Sequence, residues 1–121
     1  MPSEWVRKHC LSRPHATEMV QWEDHLLFKV GGKMFAITAL EPGRGNAMTF
    51  KSTPDEFAQL IERPGVIPAP YLARAFWIAL ETESAIPRAE VKERLSKSYD
   101  LVVAKLPKKM REALAKPTKP W

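Results

Sequence analysis
Cysteine is nearly absent. Cys10 stands alone among 121 residues, which excludes an internal disulfide. Long apolar runs are absent too, so no segment is expected to span a membrane. The opening Met1-Pro2-Ser3-Glu4-Trp5 lacks the basic and apolar regions of a secretory signal. Together these lead to the expectation of a cytoplasmic protein. Catalytic signatures are missing as well: the chain has no nucleophile elbow, no HExxH and no phosphate loop. Gly43-Arg44-Gly45-Asn46 is too short for a dinucleotide fingerprint and lacks the helix that should follow. Glu81 and Glu83 could act as an acid–base pair, but a solvated strand end explains them better. Cys10 with His9 and His15 matches no zinc spacing, and Cys10 reads as a small apolar core residue. The expectation is therefore a non-enzyme with no cofactor and no metal.

Acidic residues are scarce in one place only. Of 19 Lys and Arg and 14 Asp and Glu, six bases (Lys105, Lys108, Lys109, Arg111, Lys116, Lys119) and one acid (Glu112) lie from Lys105 onward. The preceding residues carry 13 of each sign, so the net charge of +5 belongs to the C-terminal stretch. Such a stretch can hold phosphate non-specifically, and it is equally a common solubilising terminus.

What is present is mainly a pattern of short elements. A hydrophobic content of 45% suffices for a core without disulfides or metal, while 11 prolines impose many breaks. The clearest local signal runs from Leu26 to Ile37, where two apolar segments flank Gly31-Gly32. This predicts a β-hairpin with a tight type I′ turn. The simplest register sets Val30 opposite Lys33, Phe28 opposite Phe35 and Leu26 opposite Ile37. Those residues, Lys33 aside, then share one apolar face, and Lys29 and Lys33 leave from opposite faces.

Around the hairpin, Ser3–Leu11 reads as a helix capped by Ser3, and Glu18–Trp22 and Ala47–Lys51 read as strands. Thr53-Pro54-Asp55-Glu56 reads as a capping box that opens a second helix. Val66–Pro70 reads as a proline-rich connector, Tyr71–Ala75 as one helical turn and Phe76–Glu81 as a strand. Pro87 opens the longest helix, with Val91, Leu95, Tyr99, Val102 and Leu106 on its apolar stripe. Pro107 ends it or begins a short helix through Ala115. The expectation is an α+β fold: an antiparallel sheet built around the Gly-Gly hairpin, with N-terminal, middle and long C-terminal helices against it. Residues 1–106 would form the single domain and 107–121 a basic extension.

The order of several pieces resembles the MmcQ/YjbR family of small bacterial proteins. They are Cys10-Leu11-Ser12-Arg13-Pro14-His15-Ala16-Thr17-Glu18, then Phe28-Lys29-Val30-Gly31-Gly32-Lys33-Met34-Phe35-Ala36, then Phe50-Lys51 with Pro54. Trp77 and Ser98-Tyr99-Asp100-Leu101-Val102-Val103-Ala104-Lys105-Leu106-Pro107 follow. The resemblance implies one α+β domain with a fold similar to a double-wing DNA-binding motif. The chain departs from the family pattern before Trp77, where Arg74 is the sole charge in a stretch that is often longer and more basic.

Two functions follow. The first is DNA binding, mainly by phosphate contact, with Lys29, Lys33, Arg44, Lys51, Arg74, Lys105, Lys108 and Lys109 as candidate residues. From His25 to Lys51 there are four Lys or Arg and only Glu41 against them. The competing reading makes these lysines ordinary solvated strand residues. The second is a non-enzymatic module for a protein or small ligand, using a cleft beside Trp77, with Tyr99 as a further candidate. Both aromatics also read as core, Tyr99 with its hydroxyl on a backbone partner. A monomer or weak dimer is expected, with no membrane association.

Overall fold
Alternating apolar residues and well-marked breaks give six strands and four α-helices in the computed structural model, which describes residues 4–21, 24–40, 46–70 and 72–114. The strands are β1 (Thr17–Gln21), β2 (His25–Val30), β3 (Lys33–Ala39), β4 (Met48–Lys51), β5 (Val66–Pro68) and β6 (Trp77–Leu80). The helices are α1 (Glu4–Leu11), α2 (Pro54–Leu60), α3 (Arg88–Ala104) and α4 (Lys108–Leu114), with a 3-10 turn at Ala73–Ala75. All pairings are antiparallel, in the order β1-β2-β3-β4-β6-β5. The fold is α+β. The Ser3 cap, Trp22, Arg44, Tyr71, Ala115, Lys116 and Lys119 lie outside the described residues.

The β2–β3 hairpin turns at Gly31 and Gly32, whose φ values of 58° and 80° are both positive, as a type I′ turn requires. Val30 faces Lys33 as expected, but the register then shifts. A β-bulge at Phe35 sets Phe28 opposite Ala36, Leu27 opposite Ile37 and Leu26 opposite Thr38. A bulge adds one residue to one strand and so reverses the parity of everything beyond it. Phe35 and Ala36 therefore both join the main core, and Ile37 passes to the other face. Phe28 and Phe35 still touch, tilted, with ring centroids 6.4 Å apart.

Val66–Pro70 is more than a connector. Val66, Ile67 and Pro68 pair with Leu80, Ala79 and Ile78 to form the edge strand β5. Proline is tolerated there because an outer edge needs no ladder donor.

The main core lies between one face of the sheet and α1, α2 and α3. Phe28, Phe35, Phe50, Ile78 and Leu80 from the sheet meet Val6, Leu60, Val91 and Leu95 from the helices. The α3 stripe is buried at Val91, Leu95, Tyr99 and Val102; the helix ends at Ala104, and Leu106, expected on the same stripe, is buried just beyond it. A second, smaller cluster (Ala69, Trp77 and Ala79, with Met34, Ile67 and Leu72 against it) covers part of the opposite face. That is why all four residues of β6 are buried. Residues 108–114 form a helix whose Leu114 packs against the main core. No helix among the described residues is long and apolar enough to cross a membrane.

Candidate functional site
The site begins with parity on β4. Met48 and Phe50 point into the main core, so Thr49 and Lys51 point to the opposite face. Lys51 pairs with Trp77 and Thr49 with Ala79 on β6. The backbone around this pair is held firmly. Ser98 on α3 is fully buried; its hydroxyl donates to Phe35 O (2.6 Å) at the bulge and accepts from Lys51 N (2.9 Å). Ser52 N and Oγ both donate to Phe76 O, at 2.9 and 2.7 Å. This helps to fix Phe76 in the left-handed region at φ 64°, a costly conformation for an aromatic residue, immediately before Trp77.

The second wall comes from the hairpin tip and the end of α3. A Cβ on Gly31 would lie 2.7 Å from Leu106 Cδ1, so a larger residue there would have to displace the leucine side chain as well as adopt a φ of 58°. This close approach brings Lys33 on the tip and Lys105, the C-terminal capping residue of α3, into the lining of one cleft. The result is a cleft of about 320 Å³. Met34, Trp77, Val102 and Leu106 give it an apolar lining, and Lys33, Lys51 and Lys105 add the charge. Among the described residues no carboxylate lines it. Burial lowers the pKa of the Lys51 ammonium from the usual lysine value, and the neighbouring Lys105 charge lowers it further. Like charges held at the mouth of an apolar cleft favour an anion between them.

Three of the eight cations expected from the sequence thus converge. Of the other five, Arg44 lies outside the described residues, and Lys29, Arg74, Lys108 and Lys109 are not part of the lining. Lys29 faces Met34 from β2, Arg74 is exposed on the 3-10 turn, and Lys108 and Lys109 are exposed on α4. Lys108 lies 4.0 Å from Glu112. Lys33 has the parity of the core but sits at the turn end, and from there it reaches the same cleft as Lys51.

The two aromatic candidates are separated by the sheet. Trp77 is only 5% exposed and closes the floor of the cleft, which leaves little ring face for stacking a base. Tyr99 lies in the main core, edge-on to Phe35 at 5.3 Å, and its hydroxyl donates to Pro14 O at 2.6 Å. Cys10 is buried, and burial pushes its thiol up to about 12.

Sequence reasoning missed a second cavity on the same face, of about 620 Å³. Ile37 and Thr49 form its floor, Ala69, Pro70 and Leu72 one wall, and His25 and Asn46 its far end. Met34 lines both this cavity and the lysine cleft. The cavity was hidden because it depends on the bulge that turns Ile37 outward.

A family model described as YjbR matches residues 11–101. Among solved structures, the chain is similar to Deinococcus radiodurans protein DR2400, which carries the family-model domain DUF419. The identity is 27% and the TM-score 0.81, with 94% of this chain and 88% of that one covered. It is also similar to a protein from Pseudomonas syringae, at 18% identity and a TM-score of 0.64, with 84% of this chain and 98% of that one covered. That second likeness bears on fold alone. No curated protein matches.

Proposed function
The chain belongs to the YjbR family, and from that premise we propose that it is a non-enzymatic DNA-binding protein acting mainly through phosphate contacts. The observation that carries the reading is the convergence of Lys33, Lys51 and Lys105 on one cleft with no carboxylate lining it among the described residues. The β2–β3 hairpin serves as a wing that presents Lys33, and α3 presents Lys105 from the other side. Lys108 and Lys109 extend the basic surface along α4. Affinity is then largely independent of base sequence and falls steeply with salt. No base-reading helix is required, and Trp77 supports the cleft from beneath without stacking on bases. The protein acts in the cytoplasm as a monomer or weak dimer.

Amide chemical shifts of the isotope-labelled chain, followed during titration with a short duplex at low salt, test this reading. Perturbations should cluster at Lys33, Lys51, Trp77 and Lys105. Clustering around Arg74 instead, or no perturbation at all, overturns it.

A second reading, a small-ligand module, has its own observation: the apolar cavity over Ile37 and Thr49. Its volume falls within the range of roughly 300–1,000 Å³ common for small-molecule sites.

A further inference from the structure
We propose that the groove formed by the two adjoining cavities binds a small amphipathic anion, an apolar carboxylate whose body lies over Ile37 and Thr49 and whose head meets the lysines. The proposal rests on the small-ligand reading and adds the chemistry of the ligand.

The groove has a polarity that the strand register sets. Thr49 and Lys51 lie two residues apart on the same face of β4, a spacing of roughly 7 Å. Opposite them stand Ala79 and Trp77. Ile37 is the partner of Thr49 across β3, and Met34 lies further along β3 toward the hairpin tip. Moving along the sheet, the lining thus passes from Ile37 and Thr49, over Met34, to Lys51, Lys33 and Lys105.

One half of the groove is mainly apolar, with His25 and Asn46 only at its far end, and the other concentrates positive charge. A neutral apolar molecule would satisfy only the first half. A bare inorganic anion would satisfy only the second. A cation would meet three like charges. A carboxylate on an apolar body of about this length satisfies both halves, because burial of the body and a charge-assisted contact at the head act together. A wider occupant, such as a protein segment, does not follow from a groove that is closed by Ala69 and Leu72 on one side.

The test is calorimetric titration of the full chain with decanoate, decanol and decyltrimethylammonium. Decanoate should bind at least about tenfold more tightly than decanol, the difference expected of one charge-assisted contact. Decyltrimethylammonium should bind more weakly than either. Lys51→Met should remove most of the preference for decanoate over decanol and leave decanol binding unchanged. Thr49→Trp, which fills the apolar half, should abolish binding of both. If that variant does not fold, Leu72→Trp fills the same half from the wall and should do the same.

Equal binding of decanoate and decanol would overturn the proposed head-group contact while leaving a ligand module standing. Binding of none of the three overturns the proposal and removes the ligand reading with it. Decanoate affinity unchanged in a folded filling variant also overturns the proposal. DNA affinity of the same filling variant should remain unaltered, which keeps the nucleic-acid reading separately testable.

Discussion

Ser98 has no exposed surface, and its hydroxyl is engaged on both sides, with Phe35 O and Lys51 N. One small side chain on α3 thereby satisfies the carbonyl that the bulge frees and the amide beside the cleft. Its role as this link could not be read from local spacing, because its partners lie 63 and 47 residues away. Ser98→Ala should leave two buried backbone groups unpaired and lower stability by roughly 1–3 kcal/mol. Urea unfolding would measure this, and a loss below about 0.5 kcal/mol, the size of an ordinary surface change, would contradict the assignment. Cys10 offers a second check at this scale. With its thiol held near 12 by burial, it carries almost no thiolate at neutral pH. Iodoacetamide should label it slowly in the native chain and rapidly in denaturant. Fast native labelling at pH 8 would mean that Cys10 is not in the core. The packing of Cys10 and the backbone partner of Tyr99 were both legible from sequence, because each follows from the residue's own chemistry.

At the scale of elements, helix starts read most plainly. Thr53, Pro54 and Glu56 spell out the beginning of α2, and the reciprocal bonds are present: Thr53 Oγ1 accepts from Glu56 N (3.3 Å), and Thr53 N donates to Glu56 Oε1 (3.2 Å). Glu56 also receives Arg94 at 2.6 Å and Lys97 at 3.5 Å from α3, which ties the two helices together. Burial tends to raise the pKa of its carboxyl. The Thr53 hydrogen bonds and the Arg94 and Lys97 charges outweigh that and leave it below the usual carboxylate value. A depressed carboxylate pKa contributes stability above the unfolded value that is lost as pH falls through the folded one. Glu56→Gln should therefore weaken the chain at pH 7 and matter progressively less below pH of about 4.5, the unfolded value. Equal destabilisation of wild type and variant across that range, followed by thermal melts, would contradict the linkage. The strand β5 was not legible, because two prolines within Val66–Pro70 mimic a loop. Its short edge position is what makes Pro68 acceptable. The bulge at Phe35 was equally hidden: no residue type announces it, and the pull comes from burying both Phe35 and Ala36 beneath α3.

At the scale of the whole molecule, the sheet separates two kinds of chemistry. One face is a closed core against three helices. The other carries a second apolar cluster and a cavity, and the lysine cleft opens beside them where the hairpin tip meets the end of α3. The sequence made the α+β architecture legible because hydrophobic period and turn residues are local properties. It could not bring Lys33, Lys51 and Lys105 together, because their meeting depends on the pairing of β4 with β6 and on the approach of Gly31 to Leu106. Gly31→Ala should loosen that approach, since the added Cβ meets Leu106 at 2.7 Å and φ is 58°. A folded but less stable chain with weaker phosphate binding is the expected outcome, read by thermal melts and duplex titration together. Unaltered stability and unaltered binding would show that the tip and α3 are not coupled.

The salt dependence of duplex DNA binding bears most directly on the lysine cleft. Anisotropy of a labelled duplex, measured over a series of salt concentrations, gives the slope of log affinity against log salt for the wild-type chain and for a Lys33→Gln, Lys51→Gln, Lys105→Gln triple variant. Loss of three phosphate contacts should reduce the steepness of that slope by roughly 2.7 and weaken binding at every salt concentration. An unchanged slope in a folded variant, or no binding by the wild-type chain at low salt, would contradict the account.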